Sequence, residues 1–215
     1  MLGRISTVAL ATIGSASALQ RRTMMAMATN PIARFKTSKG NFDVELYVDK
    51  LPITASNFKD LASTGFYDGL TFHRVIKNFM CQFGCPHSNP EKQTGMPGTG
   101  GPKPGTSFEL PDGTTITRNA GGNIPDELIE PISNSPGTIS MANTGAPDSG
   151  GSQIFINTNN NKFLDYFDSS SPSAHPVFGK VVEGMDIVKS IEAVRTDGRD
   201  MPIEPVVVET IEIVE

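Results

Sequence analysis

Three features that are scarce or missing in the sequence limit the kind of protein it can be. Cysteine is scarce, since Cys81 and Cys85 are the only two among 215 residues, which is too few for a disulfide framework. Asn-x-Ser/Thr glycosylation acceptors with a non-proline middle residue are missing altogether. No segment is apolar over a length that would cross a bilayer. The sequence therefore fits a protein of a reducing compartment, and we expect no membrane partner.

The first 42 residues contain no acidic residue, and the first one in the chain is Asp43. Residues 1–30 contain three arginines, so the rest of the chain holds 15 of the 18 basic residues against all 23 acidic ones. Residues 31–215 thus carry a net charge of −8. An acidic body does not attract the phosphates of nucleic acid, and we therefore expect no nucleic-acid partner.

Residues 1–30 have the features of a targeting presequence that is cleaved or disordered. Arg4 precedes a mildly apolar run, residues 5–14, and residues 16–18 (Ala-Ser-Ala) have the small-x-small form of a signal-peptidase site. Residues 19–29 are basic and rich in Ser, Thr, Met and Ala, as organelle transit segments are.

This combination of a signal and a transit-like stretch is similar to the bipartite presequences of plastids acquired by secondary endosymbiosis. It predicts an organellar location, with the plastid favoured. A mitochondrial presequence remains an alternative. A cytoplasmic location would follow if translation starts at Met24 or Met27.

Residues 31–215 are predicted to form one mainly β domain. Strict alternation of apolar and polar residues, as in residues 41–48, indicates strands with one buried face. Two helices are expected, one opening at Pro52 and ending at Gly65, the other over residues 185–194. The eight predicted strands cover residues 32–36, 41–48, 70–76, 79–83, 138–142, 153–157, 176–182 and 205–214. Short strands joined by turn residues favour a closed eight-stranded antiparallel β-barrel capped by the two helices.

Arg74 lies in an apolar strand, where alternation predicts that Phe72, Arg74 and Ile76 share one face. A guanidinium among apolar side chains is costly unless it is paired or exposed at a cleft. The alternative is a surface arginine whose stem runs along the sheet. The segment alone leaves both interpretations open.

Several motifs in fixed order resemble one family. Residues 72–82 read Phe-His-Arg-Val-Ile-Lys-Asn-Phe-Met-Cys-Gln, residues 140–143 Ser-Met-Ala-Asn and residues 151–156 Gly-Ser-Gln-Ile-Phe-Ile. The Gly-Thr-Gly-Gly loop at 98–101 and the His-Pro-Val-Phe-Gly-Lys-Val run at 175–181 agree in order. Together they resemble the cyclophilin family of peptidyl-prolyl cis-trans isomerases, over the whole chain apart from the presequence.

The resemblance implies an enzyme that accelerates rotation about X-Pro peptide bonds in proline-containing polypeptides and assists protein folding. It implies no cofactor and no metal, because the reaction needs neither a nucleophile nor a general base. Oligomeric state has no signal in the sequence, and we expect a monomer. By motif, the resemblance implies that Arg74 is the catalytic arginine and that the proline pocket is lined by Phe79, Met80, Phe155 and Leu164. It implies that the substrate backbone is held by Gln82, Ala142, Asn143 and Gln153. The rim would be formed by Phe163 and His175.

The sequence departs from the family at three places. The aromatic before Leu164 is commonly Trp in cyclosporin-sensitive members and is Phe163 here, which removes an indole N–H donor and predicts weakened cyclosporin binding. The segment after Gln82 reads Phe-Gly-Cys in place of Gly-Gly-Asp, and the loop at residues 86–97 is long. Residues 166–174 insert a Ser-rich loop.

The sequence also suggests three other interpretations. A binding module or chaperone could use the same cleft for proline-containing peptides with catalysis incidental. A hydrolase using Ser152 and His175 is disfavoured, because no Gly-x-Ser-x-Gly elbow surrounds the serine. Cys81, Cys85 and His87 fall short of a tetrahedral metal site, while thiol redox control stays open. Cys81 is expected to face the core.

Overall fold

The computed structural model describes residues 30–92, 94–171 and 173–215. Nearly all of the predicted presequence therefore lies outside the described residues. The strands and helices in chain order are β1 (Ile32–Thr37), β2 (Gly40–Leu46), α1 (Pro52–Ser63), β3 (Arg74–Ile76), β4 (Met80–Phe83), β5 (Ser107–Glu109), β6 (Thr115–Thr117), β7 (Thr138–Met141), β8 (Ile154–Asn157), β9 (Val177–Glu183), α2 (Met185–Glu192) and β10 (Val208–Val214).

Eight of the strands form one antiparallel sheet in the order β10-β1-β2-β9-β7-β8-β4-β3. The end strands β3 and β10 do not pair with each other directly. The sheet curls round and closes through an isolated bridge between Thr71 and Val207, beside a 2.8 Å hydrogen bond from the Val208 N–H to the Leu70 carbonyl. The predicted eight-stranded antiparallel barrel is confirmed, with closure limited to this short seam.

The closing seam also explains why one predicted strand is shorter than expected. The stretch before Arg74 turns toward β10, so only residues 74–76 remain in β3. Phe72 lies in the main core with 1% of its surface exposed, whereas the Arg74 side chain is 45% exposed. The expectation that Phe72 and Arg74 share a face was therefore wrong.

Both predicted helices are present and contact different strands. Helix α1 begins at Pro52, where a missing N–H costs no hydrogen bond, and the chain leaves it at Gly65 with φ of 71°. It packs on β5, β9 and β10, whereas α2 packs on β2, β3 and β4. In the described part of the chain, neither helix has the length and apolar character needed to cross a bilayer.

Aromatic side chains fill the interior of the barrel. The rings of Phe35 and Phe42 stack with centroids 4.5 Å apart, and Phe58 stacks on Tyr67 at 5.1 Å. Cys81 is fully buried in this core, as expected. A second and smaller apolar cluster lies apart from it. That smaller cluster marks the candidate site.

Candidate active site

Nine of the eleven predicted site residues line one groove with a volume of 330 Å³. They come from the neighbouring strands β3, β4 and β8, from the residue before β4, from the residues after β7 and from the connection between β8 and β9. The lining residues are Arg74, Phe79, Met80, Gln82, Ala142, Asn143, Phe155, Leu164 and His175. Phe163 and Gln153 are the two predicted residues that lie outside this lining.

Strand alternation separates the groove from the core. In β4, Cys81 and Phe83 point into the main core, while Met80 belongs to the smaller cluster on the opposite face. Met80, Phe155 and Leu164 form the apolar floor of the groove and are each at least 93% buried. The floor is thus a preformed apolar surface that can receive a small aliphatic ring.

Cross-strand register places Arg74 beside this floor. Arg74 pairs with Gln82 on β4, and Gln82 pairs with Phe155 on β8. Directly opposed residues of adjacent strands are about 5 Å apart and lie on the same face of the sheet. A row across β3, β4 and β8 therefore places the Arg74 guanidinium, the Gln82 amide and the Phe155 ring next to one another.

Phe79 enters the groove because it precedes β4 and is not part of the alternating strand. Its neighbour Asn78 has φ of 58°, and the Phe79 N–H closes the turn on the Ile76 carbonyl at 3.1 Å. The Phe163 ring packs on Phe79 with centroids 5.6 Å apart. Phe163 is 57% exposed, so it extends the groove as an outer rim.

Two glutamines connect the groove to the glycine-rich loop. The Gln82 amide donates to Gln153 Oε1 at 3.1 Å, and Gln153 Nε2 donates to the carbonyls of Gly98 and Gly100, both at 2.9 Å. Gln153 lines a neighbouring cavity of 130 Å³ that shares Gln82, Ala142 and Asn143 with the groove. These contacts hold the loop against the end of the groove.

The side chain of Asn143 is occupied by its own loop. Its amide donates to the Ala174 carbonyl at 2.7 Å, and its oxygen accepts from the Gly145 N–H at 3.0 Å. Among the described residues, the backbone N–H and carbonyl of Asn143 have no hydrogen-bond partner. Any contact with a substrate backbone would therefore come from the main chain at Asn143.

His175 is held as a neutral ring at the groove. Its Nδ1 lies 3.0 Å from the Met141 carbonyl, an acceptor, so Nδ1 carries the proton. Burial lowers the pKa of His175, against the raising effect of that backbone hydrogen bond. Its ring packs edge-on against Phe155 with centroids 5.3 Å apart. The histidine therefore supports the apolar floor.

His73 takes no part in the groove, although it adjoins Arg74 in sequence. It is 94% buried, and neither ring nitrogen has a hydrogen-bond partner among the described residues. Burial lowers its pKa to about 4, against the raising effect of the neighbouring Gln153 side chain and with a smaller lowering by the charge of Arg74. His73 is consequently a neutral buried ring at physiological pH.

The cysteines do not form a metal site within the described residues. Burial raises the pKa of the Cys81 thiol to about 12, which keeps it protonated. Cys85 Sγ accepts a hydrogen bond from the Gly100 N–H at 3.2 Å. Cys85 therefore helps to hold the glycine-rich loop.

Sequence reasoning missed one residue beside Arg74. Asp200, from the connection between α2 and β10, lies with Oδ2 3.9 Å from Arg74 Nε. The two residues are far apart in sequence and no motif joins them. Only the closing of the barrel brings them together.

Comparisons with known proteins agree with this geometry. The family model described as cyclophilin type peptidyl-prolyl cis-trans isomerase/CLD matches residues 32–213. A peptidyl-prolyl cis-trans isomerase from Acinetobacter baylyi is 35% identical over 218 residues, covering 99% of this chain and 96% of that protein. One from Schizosaccharomyces pombe is 36% identical over 171 residues, covering 79% of this chain and 90% of the relative.

Solved structures give the same assignment. A cyclophilin type peptidyl-prolyl cis-trans isomerase from Cryptosporidium parvum superposes with a TM-score of 0.68 at 25% identity, covering 87% of this chain and 99% of that one. A second structure of that protein, determined in the presence of the dipeptide Ala-Pro, gives a TM-score of 0.67 at 25% identity. The chain therefore belongs to the cyclophilin-type peptidyl-prolyl cis-trans isomerase family, and its activity is the cis/trans isomerisation of X-Pro peptide bonds.

Proposed function

We propose that the groove seats the substrate proline on the apolar floor and that Arg74 is the catalytic residue. Its guanidinium donates a hydrogen bond to the prolyl nitrogen as the peptide bond twists. The Asn143 main chain and the amides of Gln82 and Gln153 hold the flanking backbone. The position of Arg74 at the edge of a buried apolar floor is the observation that carries the proposal.

Catalysis of this rotation is favoured by a hydrogen-bond donor beside the prolyl nitrogen. Resonance in the amide opposes rotation by about 18–20 kcal/mol. In the twisted transition state that resonance is lost, and the prolyl nitrogen gains a lone pair that can accept a hydrogen bond. A planar ground-state amide nitrogen has no such lone pair to offer. A donor fixed beside the nitrogen therefore stabilises the transition state more than the bound substrate, which is the requirement for catalysis.

Arg74→Ala tests the proposal in a protease-coupled isomerisation assay on a short X-Pro peptide. We expect kcat/KM to fall about 100-fold or more, the range seen when a transition-state donor is removed. Lys77→Ala is the matched control, because Lys77 is an exposed cation just beyond β3 and outside the groove lining. Arg74→Ala with wild-type activity would refute the catalytic role of Arg74, whereas wild-type protein without activity would leave the groove as a peptide-binding surface.

We further propose that residues 1–30 direct the protein to an organelle, with a plastid favoured over a mitochondrion. The proposal is supported by their three arginines and lack of acidic residues. Imaging a fluorescent fusion of residues 1–35 tests it, with an Arg21→Glu/Arg22→Glu fusion as control. A cytoplasmic signal from both fusions would contradict organellar targeting.

A further inference from the structure

Strand β3 lies at the end of the sheet order, so within the described part of the chain one of its edges has no strand partner. An exposed edge offers unpaired backbone groups and is normally covered. Here the cover comes from residues 197–201, which we call the edge loop. The Val75 N–H donates to the Asp200 carbonyl at 2.8 Å. This bond fixes the Asp200 backbone next to Arg74.

The edge loop is held rigid by its own hydrogen bonds. The Asp197 carboxylate accepts from the N–H groups of Arg199 and Met201, both at 2.9 Å, and these bonds lower its pKa. The Asp197 N–H donates to the Met201 carbonyl at 2.8 Å. Asp200 has φ of 64°, a left-handed conformation that Asp tolerates better than most residues. The loop therefore fixes the backbone from which the Asp200 side chain extends.

The Asp200 carboxylate approaches one particular atom of Arg74. Oδ2 lies 3.9 Å from Nε, and in the described residues this is the single ion pair of the Arg74 side chain. An attraction at Nε leaves the two terminal nitrogens of the guanidinium for the groove that Arg74 lines. The arrangement restrains a long side chain that would otherwise sample many rotamers.

We infer that Asp200 is a positioning residue for the isomerase reaction, which keeps the Arg74 guanidinium turned toward the prolyl nitrogen. The inference rests on the proposed role of Arg74. Because both side chains are almost half exposed, the pair is screened by solvent and adds little to folding stability. The pair instead affects the orientation of the Arg74 guanidinium, and small displacements of a catalytic group lower the reaction rate.

Two substitutions at Asp200 suit its left-handed backbone and remove the charge. Asp200→Asn keeps the shape of the side chain, and Asp200→Gly removes it. We expect either to lower kcat about two- to fivefold with KM and the thermal midpoint unchanged. The Arg74 Nε–H resonance should shift in NMR spectra of both variants. Glu204→Gln is the control, because it removes an exposed carboxylate of the same segment. We expect it to change neither kcat nor the Arg74 Nε–H resonance.

A double-mutant cycle separates positioning from a structural role. In the Arg74→Ala background, Asp200→Asn should cause no further loss of activity. Wild-type kcat in both Asp200 variants, or a loss that persists without Arg74, would overturn the inference while leaving the role of Arg74 intact. Wild-type activity in Arg74→Ala alone would instead refute the proposed catalytic role, and the inference with it.

Discussion

The Glu127 carboxylate accepts a hydrogen bond of 2.8 Å from the backbone N–H of Thr54, 73 residues earlier in the chain. Its other oxygen accepts from the Ile53 N–H at 3.0 Å. Leu51, the residue before helix α1, provides no side-chain cap. A buried glutamate from a distant loop therefore satisfies two of the unpaired N–H groups at the start of this helix.

Glu127→Ala should destabilise the protein by about 1–3 kcal/mol, because it leaves the buried Thr54 N–H and the partly buried Ile53 N–H without an acceptor. The free energy of unfolding of Glu127→Gln, which keeps one carbonyl acceptor, should lie between those of the wild type and the alanine variant. Urea unfolding followed by fluorescence or circular dichroism measures both. Glu109→Ala, which removes an exposed glutamate, serves as control. Equal stability of the two alanine variants would contradict the capping role.

Arg118 is a buried arginine that joins three elements. Its side chain is 2% exposed and donates to Asn57 Oδ1 at 2.8 Å, to Thr106 Oγ1 at 3.0 Å and to Asp60 Oδ2 at 2.7 Å. Arg118→Ala should cost about 3 kcal/mol, since it leaves the buried Asn57 oxygen without its donor and takes a hydrogen bond from each of the partly exposed Thr106 and Asp60. Arg118→Lys should recover little of this stability, because an ammonium group cannot reproduce the planar arrangement of the guanidinium N–H donors.

The pair of Arg34 with Asp43, in which the arginine is exposed and the aspartate is mostly buried, provides the comparison for Arg118. Arg34 also makes two hydrogen bonds to a carboxylate, at 3.1 and 2.8 Å, but its side chain is 46% exposed. Arg34→Ala should therefore cost about 1 kcal/mol, because the exposed guanidinium gains little from the pair while the mostly buried Asp43 carboxylate loses a partner. Denaturant midpoints of the two alanine variants test the difference. Similar losses in both would show that burial does not decide the strength of these contacts.

Much of the fold and the groove could be predicted because the relevant information is local. Alternation along β4 separates Cys81 from Met80, and the motifs place Arg74 and Phe155 on strands that share β4 as a neighbour. The residues of the groove then follow from the register. The β5–β6 hairpin was missed because Phe108 is its single buried residue, too little for a recognisable pattern.

Contacts that depend on closure of the barrel could not be predicted. Asp200 reaches Arg74 from the loop beside the edge of β3, and Glu127 reaches Thr54 from a loop 73 residues further along the chain. The wrong expectation for Phe72 has the same origin, since a seam with β10 took that residue out of β3. Local patterns carry no information about such long-range pairings.

Phe163→Trp should strengthen cyclosporin binding about two- to tenfold, the value of one additional hydrogen bond from the indole N–H. Phe163 already packs on Phe79 at the rim, so the larger ring keeps that contact. Isothermal titration calorimetry measures the affinity. Phe167→Trp adds an indole at another exposed aromatic and is the control. Unchanged affinity in Phe163→Trp would show that this position does not set drug sensitivity.

His73 should make folding stability depend on pH. Its pKa in the folded protein is about 4, below the ordinary value of 6.5, because burial disfavours the charged ring. Between these values the unfolded chain binds more protons than the folded one. The free energy of unfolding should therefore fall as the pH drops from 6.5 to 4, by about 3 kcal/mol in total for this residue.

His73→Phe keeps a buried ring and removes the titration, so its unfolding free energy should change less over this range. The lowered pKa of His175 acts in the same direction and should leave a residual slope in the variant. Urea midpoints measured at pH 7, 6, 5 and 4 compare the two proteins. Parallel curves for wild type and His73→Phe would mean that the buried imidazole finds a proton acceptor in the folded state, contrary to its unpartnered nitrogens.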